Sequence, residues 1–245
     1  MKVFILAAGL GTRLRSLGLD VPKVMVPIGG KPLLEHHVEL LRAQGVTEFI
    51  INLHYRPEKI TGYFGDGSRW GVRITYSHEP ELLGTAGGVK KMEAQLREGT
   101  FVVLYGDNLV RFELGPLVAF HRQHRAEATV TLMRSAEPWT GGVVEFDASG
   151  RVVRFVEKPP RESVTSDWIN AGVLVLEPAV LNTIPAGQFS DFGKDILPAM
   201  VASGRAVFAT PLRGYVQDVG TPERLAKARA DFERGLPVTV EGETR

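Results

Sequence analysis

The chain contains no cysteine. Disulfides, zinc–thiolate centres and thiol nucleophiles are therefore excluded outright. A surplus of either charge is also missing: 29 Lys+Arg stand against 28 Asp+Glu, a formal net charge of +1. That balance argues against a general nucleic-acid binder. No apolar run approaches the ~20 residues that a membrane span needs. The opening "MKVFILAAGLGTR" has too short an apolar stretch for a secretory signal, and no small-residue cleavage site follows it. The expectation is a cytoplasmic protein with neither membrane nor nucleic acid as partner. What remains, 245 residues with 44% hydrophobic and 23% charged content, suits a soluble globular α/β unit.

Apolar runs at 3–7, 48–53, 72–77 and 101–105 read as buried strands, and helical patterns fall between them. Leu33, Leu34, His37, Val38 and Leu41 recur at helical spacing, with Pro32 suited to a first turn. A second helical pattern covers 114–124. Alternation of this kind predicts crossover units and a mostly parallel sheet covered on both faces. After residue 135 the rhythm changes. The run 141–158 reads as a hairpin turning at Asp147–Gly150. A strand at 169–177, a helix around 190–203, two short strands and a last helix follow. Thr221 is the expected N-cap of that helix, Pro222 its first residue and Gly235 its stop. The reading is one domain over residues 1–235, with a tail at 236–245 that carries no clear pattern.

The stretch "LAAGLGTRLRSLGLDVPK" follows the first strand. A loop there lies at the carboxyl edge of the sheet, where α/β folds bind ligands. Glycine lets backbone N–H groups approach phosphate oxygens closely. The dinucleotide fingerprint fails, because Leu14 stands three places after Gly11, and no Gly-Lys-Ser/Thr triplet of a P-loop is present. Alone, the loop also fits a glycine turn flanked by surface arginines.

Taken together, "LAAGLGTRL", "VPKVMVPIGGKPLLEHHVELL", "ELLGTAGGV", "LYGDN", "GGVVEFDASGRVVRFVEKP" with "INAGVLVL", and "GYVQDVGTPERL" resemble the sugar-1-phosphate nucleotidyltransferases, in order and at matching spacing. The likeness runs from residue 5 to about residue 235 and is nearest to the mannose-1-phosphate and manno-heptose-1-phosphate guanylyltransferases. It implies a mostly parallel, Rossmann-like (GT-A-like) α/β sheet with an antiparallel sugar-binding elaboration, and no left-handed β-helix within these residues. The implied partners are a nucleoside triphosphate and a sugar 1-phosphate, with homo-oligomer formation left open. The implied reaction is attack by the sugar-phosphate oxygen on the α-phosphorus, with pyrophosphate leaving in line.

Such transfers ask mainly for positioning and charge neutralisation. By resemblance Arg13 reaches the β- and γ-phosphates and Lys23 the α-phosphate, where charge builds. Arg15 has no such support and reads as a surface residue. Asp107 and Asp218 are the implied carboxylates for Mg2+, a hard ion that prefers oxygen ligands. Their plainer readings are a turn residue in Gly-Asp-Asn and an acid near a helix start. Leu6, Ala8, Gly9, Gly11, Thr12, Glu79, Gly84 and Thr85 are the implied nucleotide-binding residues. Gly142, Glu157, Lys158, Asn170 and Gly172 are those for the sugar phosphate. Adjacent strand residues point to opposite faces, so Glu157 and Lys158 share a ligand only if the strand ends there, as Pro159 suggests. Relatives often carry a bulky aromatic where Gly141 stands, which leaves sugar choice open.

Glu79 aligns with a glutamine that reads pyrimidines in thymidylyl- and uridylyltransferases. A carboxylate only accepts hydrogen bonds, and guanine offers two adjacent donors, so Glu79 favours GTP. The competing reading turns Glu79 to solvent and leaves the base to backbone near Gly84 and Thr85. Three alternatives remain: a uridylyl- or thymidylyltransferase on another hexose 1-phosphate, a GT-A glycosyltransferase, and a non-catalytic nucleotide-sugar sensor. The glycosyltransferases carry Asp-x-Asp where this chain has Gly106-Asp107-Asn108, and a sensor has no need of all four charged residues at 13, 23, 107 and 218.

Overall fold

Apolar runs too short for helices become strands because their branched and aromatic side chains pack on a pleated surface. The computed structural model describes residues 1–11 and 20–236. The chain divides into two compact units: Met1–Leu82, Leu104–Leu114 and Arg213–Arg245 form the first, and Leu83–Val103 with Gly115–Leu212 form the second.

In the first unit, Lys2–Leu6 pairs in parallel with Glu48–Leu53, Ile5 opposite Ile51. The latter strand pairs in parallel with Arg73–His78, Leu53 opposite His78. All three strands thus end at one edge, beside Ala7, Asn52 and Glu79. Helix Leu33–Arg42 buries Leu33, Leu34, His37, Val38 and Leu41. Pro32 is its N-cap rather than a residue of its first turn. A second core gathers Val26, Ile28, Leu109, Tyr215, Val219 and Leu225. It lies at an antiparallel ladder of two strands, Asn108–Phe112 and Gly214–Asp218, in which Gly214 faces Phe112 and Asp218 faces Asn108. Helix Pro222–Glu233 follows, capped as expected by the Thr221 hydroxyl, which accepts from the Arg224 N–H.

The second unit is mostly antiparallel. Gly142–Phe146 and Val152–Glu157 form the expected hairpin, Gly142 opposite Glu157. Trp168–Leu176 pairs with Ala128–Arg134 and, at Ile169 opposite Val143, with the hairpin. Val207–Pro211 adds to Ala128–Arg134 in parallel. The two short strands expected near 207–218 therefore belong to different sheets. The helix expected around 190–203 opens as a wide π-helical turn, Phe192–Ile196, before its α-helical part Leu197–Ala202. The architecture is α/β, and no left-handed β-helix occurs among the described residues. Among them, no helix is long and apolar enough to cross a membrane.

Candidate active site

The two acids that sequence places 111 positions apart meet because of the ladder. Asp107 immediately precedes Asn108–Phe112, and Asp218 ends the partner strand. The Val219 N–H donates to the Asp107 carbonyl at 3.1 Å, closing the ladder beyond its last pair. Behind it, the buried His37 ring donates from Nε2 to the Asn108 carbonyl at 2.7 Å. Burial pushes the His37 pKa down to about 4, so the ring is neutral near pH 7.

Lys23 enters from a tight turn, Lys23–Met25, fixed by Pro22. Its ammonium donates to Asp107 Oδ2 at 2.8 Å and Asp218 Oδ1 at 3.0 Å. Arg224 donates to the other oxygen of Asp218, Oδ2, at 2.6 Å, and the Gly220 N–H donates to Oδ1 at 2.8 Å. Burial works against ionised Asp218, yet the Lys23 charge, Arg224 and Gly220 outweigh it and hold the carboxyl below the usual carboxylate range. Two acids and two bases thus balance within one cluster. Gly11 (φ +57°) passes so close that a Cβ there would lie 3.3 Å from that of Lys23, which brings this glycine of the first loop against the Lys23 backbone.

The carboxylates already share one cation, the lysine ammonium, and both present hard oxygen donors. That donor chemistry fits a divalent ion of the Mg2+ type, whose remaining positions go to waters and substrate oxygens. No group of three or more His, Cys, Asp or Glu that could hold a metal occurs among the described residues. Among the described residues, Asp107 and Asp218 are therefore not part of a closed cage of such side chains.

Beside the strand edge, the Ala7 N–H donates to Asn52 Oδ1 at 2.7 Å, and Asn52 Nδ2 donates to Glu79 Oε1 at 2.8 Å. Glu79 is 0% exposed. The reading that turns it to solvent is therefore wrong: a carboxylate bonded to Asn52 points inward.

In the second unit, Glu157 lies between Gly142 and Gly193. A Cβ at either would come within 2.8 Å or 2.5 Å of its Oε2. Burial, working against the adjacent Lys158 charge, raises the Glu157 pKa. The strand ends at Glu157, and Lys158 takes φ +48°, a conformation that costs a non-glycine residue on the order of 1 kcal/mol. That turn answers the problem of opposite faces: Lys158 Nζ lies 3.7 Å from Glu157 Oε1, on the same side. Asn170 and Gly172 (φ +82°) sit in an irregularity of Trp168–Leu176, where Asn170 Oδ1 accepts the Gly172 N–H at 2.9 Å. Gly84 and Thr85 also belong here. The Thr85 hydroxyl donates to Asp191 Oδ2 at 3.0 Å and accepts the Phe192 N–H at 2.8 Å.

Thus Lys23, Asp107 and Asp218 come together in the first unit, which also carries Leu6, Ala8, Gly9, Gly11 and Glu79. Gly142, Glu157, Lys158, Asn170 and Gly172 come together in the second, with Gly84 and Thr85. Thr12, Arg13 and Arg15 lie outside the described residues. Sequence reasoning missed Asn52, Asp191 and Arg224. An amide inside the apolar run "EFIINL" was a legible signal for the first. Asp191 caps the π-helical turn, accepting from the Gly193 and Lys194 N–H groups.

Residues 2–235 match a family model described as nucleotidyl transferase. A mannose-1-phosphate guanylyltransferase of Mycobacterium tuberculosis is 38% identical over 95% of this chain and 64% of its own length. A UTP–glucose-1-phosphate uridylyltransferase of Synechocystis is 39% identical over 90% of this chain and 60% of its own. The chain thus spans about three fifths of the length of these relatives. Among solved structures, HddC from Yersinia pseudotuberculosis complexed with GMP-PN superposes with a TM-score of 0.79 at 28% identity, covering 94% of this chain and 99% of that one.

Proposed function

The chain belongs to the nucleotidyl transferase family, and from that premise we propose that it joins GTP to mannose 1-phosphate or manno-heptose 1-phosphate, releasing pyrophosphate. The observation that carries this reading is the single ammonium of Lys23 shared by Asp107 and Asp218. It unites a phosphate-seeking cation with two oxygen donors suited to a divalent ion.

In the proposed reaction an oxygen of the sugar phosphate attacks the α-phosphorus, a P–O bond forms, and the bond to pyrophosphate breaks. Lys23 neutralises charge that builds on the α-phosphate. Arg13 is assigned to the leaving β- and γ-phosphates. Asp107 and Asp218 would hold Mg2+, which when bound shields the triphosphate charge from the incoming anion. Lys158 takes the sugar phosphate and Glu157 the sugar hydroxyls. Burial raises the Glu157 pKa and makes its carboxylate a stronger acceptor for those hydroxyls than an ordinary glutamate. The choice of guanine rests on Glu79 and on the guanylyltransferase relative. A second reading, uridylyl transfer to glucose 1-phosphate, is favoured by the Synechocystis relative of nearly equal identity.

The test crosses GTP, UTP, dTTP, ATP and CTP with several sugar 1-phosphates and scores pyrophosphate. The expected maximum is GTP with a manno-configured sugar. A maximum with UTP selects the second reading. Absence of pyrophosphate from every pair, or sugar transfer out of a finished nucleotide sugar, refutes both.

A further inference from the structure

Every position of strand Glu48–Leu53 after the first is buried, and all of those but one are apolar. Phe49, Ile50, Ile51 and Leu53 are each at most 3% exposed, and Asn52 among them is 2% exposed. An amide placed there without partners would be costly, whereas an aliphatic side chain would suit the strand. The amide is satisfied at both ends, and in only one orientation. The Ala7 N–H can only donate, so Oδ1 must face it. The NH2 group then faces Glu79, whose carboxylate accepts it. Neither end can turn without breaking two bonds.

These two bonds tie together the ends of three consecutive parallel strands. Ala7 begins the glycine loop directly after Lys2–Leu6, and Glu79 directly follows Arg73–His78. Glu79 is further held by its own backbone: its N–H donates to the Leu53 carbonyl at 2.7 Å, and its carbonyl lies 2.7 Å from His54 Nδ1. Backbone position at residue 79 is thereby set without Asn52. What Asn52 adds is a donor aimed at Oε1 of the carboxylate, together with the take-off of the loop at Ala7.

We propose that Asn52 is a positioning residue for nucleotide recognition: its fixed amide orients the Glu79 carboxylate and couples it to the glycine loop through Ala7. The inference deepens the reading in which Glu79 selects the base. It also assigns a role to a residue that touches no substrate itself.

The polarity of the pair gives a test, because both partners have isosteric replacements. Asn52→Asp sets a carboxylate oxygen against that of Glu79. Glu79→Gln supplies an amide. The double variant reverses the bond: the amide introduced at position 79 donates to the carboxylate introduced at position 52, which still accepts from Ala7. In the full chain, Asn52→Asp is expected to lower Tm and raise the KM of its preferred triphosphate by at least ~10-fold, the scale of one charge-assisted hydrogen bond. The double variant is expected to recover wild-type Tm and to bring that KM back to the value of Glu79→Gln alone. Its ranking of GTP against UTP is expected to shift in the same sense as that of Glu79→Gln alone. If Asn52→Asp does not accumulate as folded protein, recovery of folded protein in the double variant is the readout. A double variant no better than Asn52→Asp overturns the inference, and so does recovery of Tm without recovery of KM, which leaves Asn52 a merely structural tie. If Tm and KM recover while every variant ranks the bases as wild type does, Glu79 loses its part in base choice and the coupling through Ala7 stands.

Discussion

Replacing His37 with glutamine isolates one proton on the stability of this fold. His37 is 0% exposed, donates from Nε2 to the Asn108 carbonyl, and has no hydrogen-bond partner for Nδ1 among the described residues. Burial lowers its pKa from 6.5 to about 4. Between those values the unfolded chain binds a proton that the folded chain refuses. The stability carried by neutral His37 is therefore complete above pH 6.5 and is lost as pH falls toward 4. Each pH unit in that window costs ~1.4 kcal/mol, for a total of ~3 kcal/mol. Urea unfolding of wild type and His37→Gln at half-unit steps from pH 7.5 to 4.5 gives the difference between them. Subtraction removes the carboxylates and His121, whose pKa burial also lowers. The wild-type advantage is expected to shrink by ~2 kcal/mol between pH 6 and pH 4.5. A difference that stays flat to within ~0.5 kcal/mol across that range refutes the reasoning, because a buried ring with an ordinary pKa gives no such slope.

Lys23→Ala and Asp107→Asn are each expected to keep the fold and to lower turnover by at least ~10²-fold, the scale of one lost transition-state contact. Steady-state pyrophosphate release checks this, and near-normal rates remove the residue from the site. Lys158→Ala, at an exposed position, should raise the KM for sugar 1-phosphate by ~10-fold or more with Tm little changed; an unchanged KM dismisses the assigned contact. Thr221→Ala should cost ~1 kcal/mol in urea unfolding through the lost N-cap, and Thr221→Ser only a fraction of that. Equal losses for both would assign the effect to the methyl group.

Much of the fold was legible because its elements are locally consistent. The strand Glu48–Leu53, the hairpin about Asp147 and the capped helix Pro222–Glu233 each agree with the pattern that announced them. The ladder that unites Asp107 with Asp218 was not legible. The pairing of Asn108–Phe112 with Gly214–Asp218 depends on register between distant segments, and periodicity carries no record of that. Asn52 was legible only in part: an amide inside an apolar run stands out in the sequence, but its partners exist only once three strands lie side by side. Arg224 looked like one more exposed charge of a surface helix, and only its distance to Asp218 gives it a task. Glu157 and Lys158 posed the opposite case. The sequence raised a true conflict of faces, and the left-handed backbone at Lys158 resolves it at a local cost that alternation alone could not foresee.

The ladder has a consequence for how such chains diversify. Residues 115–212 depart after Leu114 and come back at Arg213, next to the facing pair Phe112 and Gly214. Exit and re-entry are thus neighbours on a scaffold that holds the acids by its own pairing. A long excursion with adjacent ends can be exchanged, lengthened or reshaped as a cassette while the splice points stay put. Transplanting that cassette from a relative should leave the pairing that sets Asp107 beside Asp218 where it was.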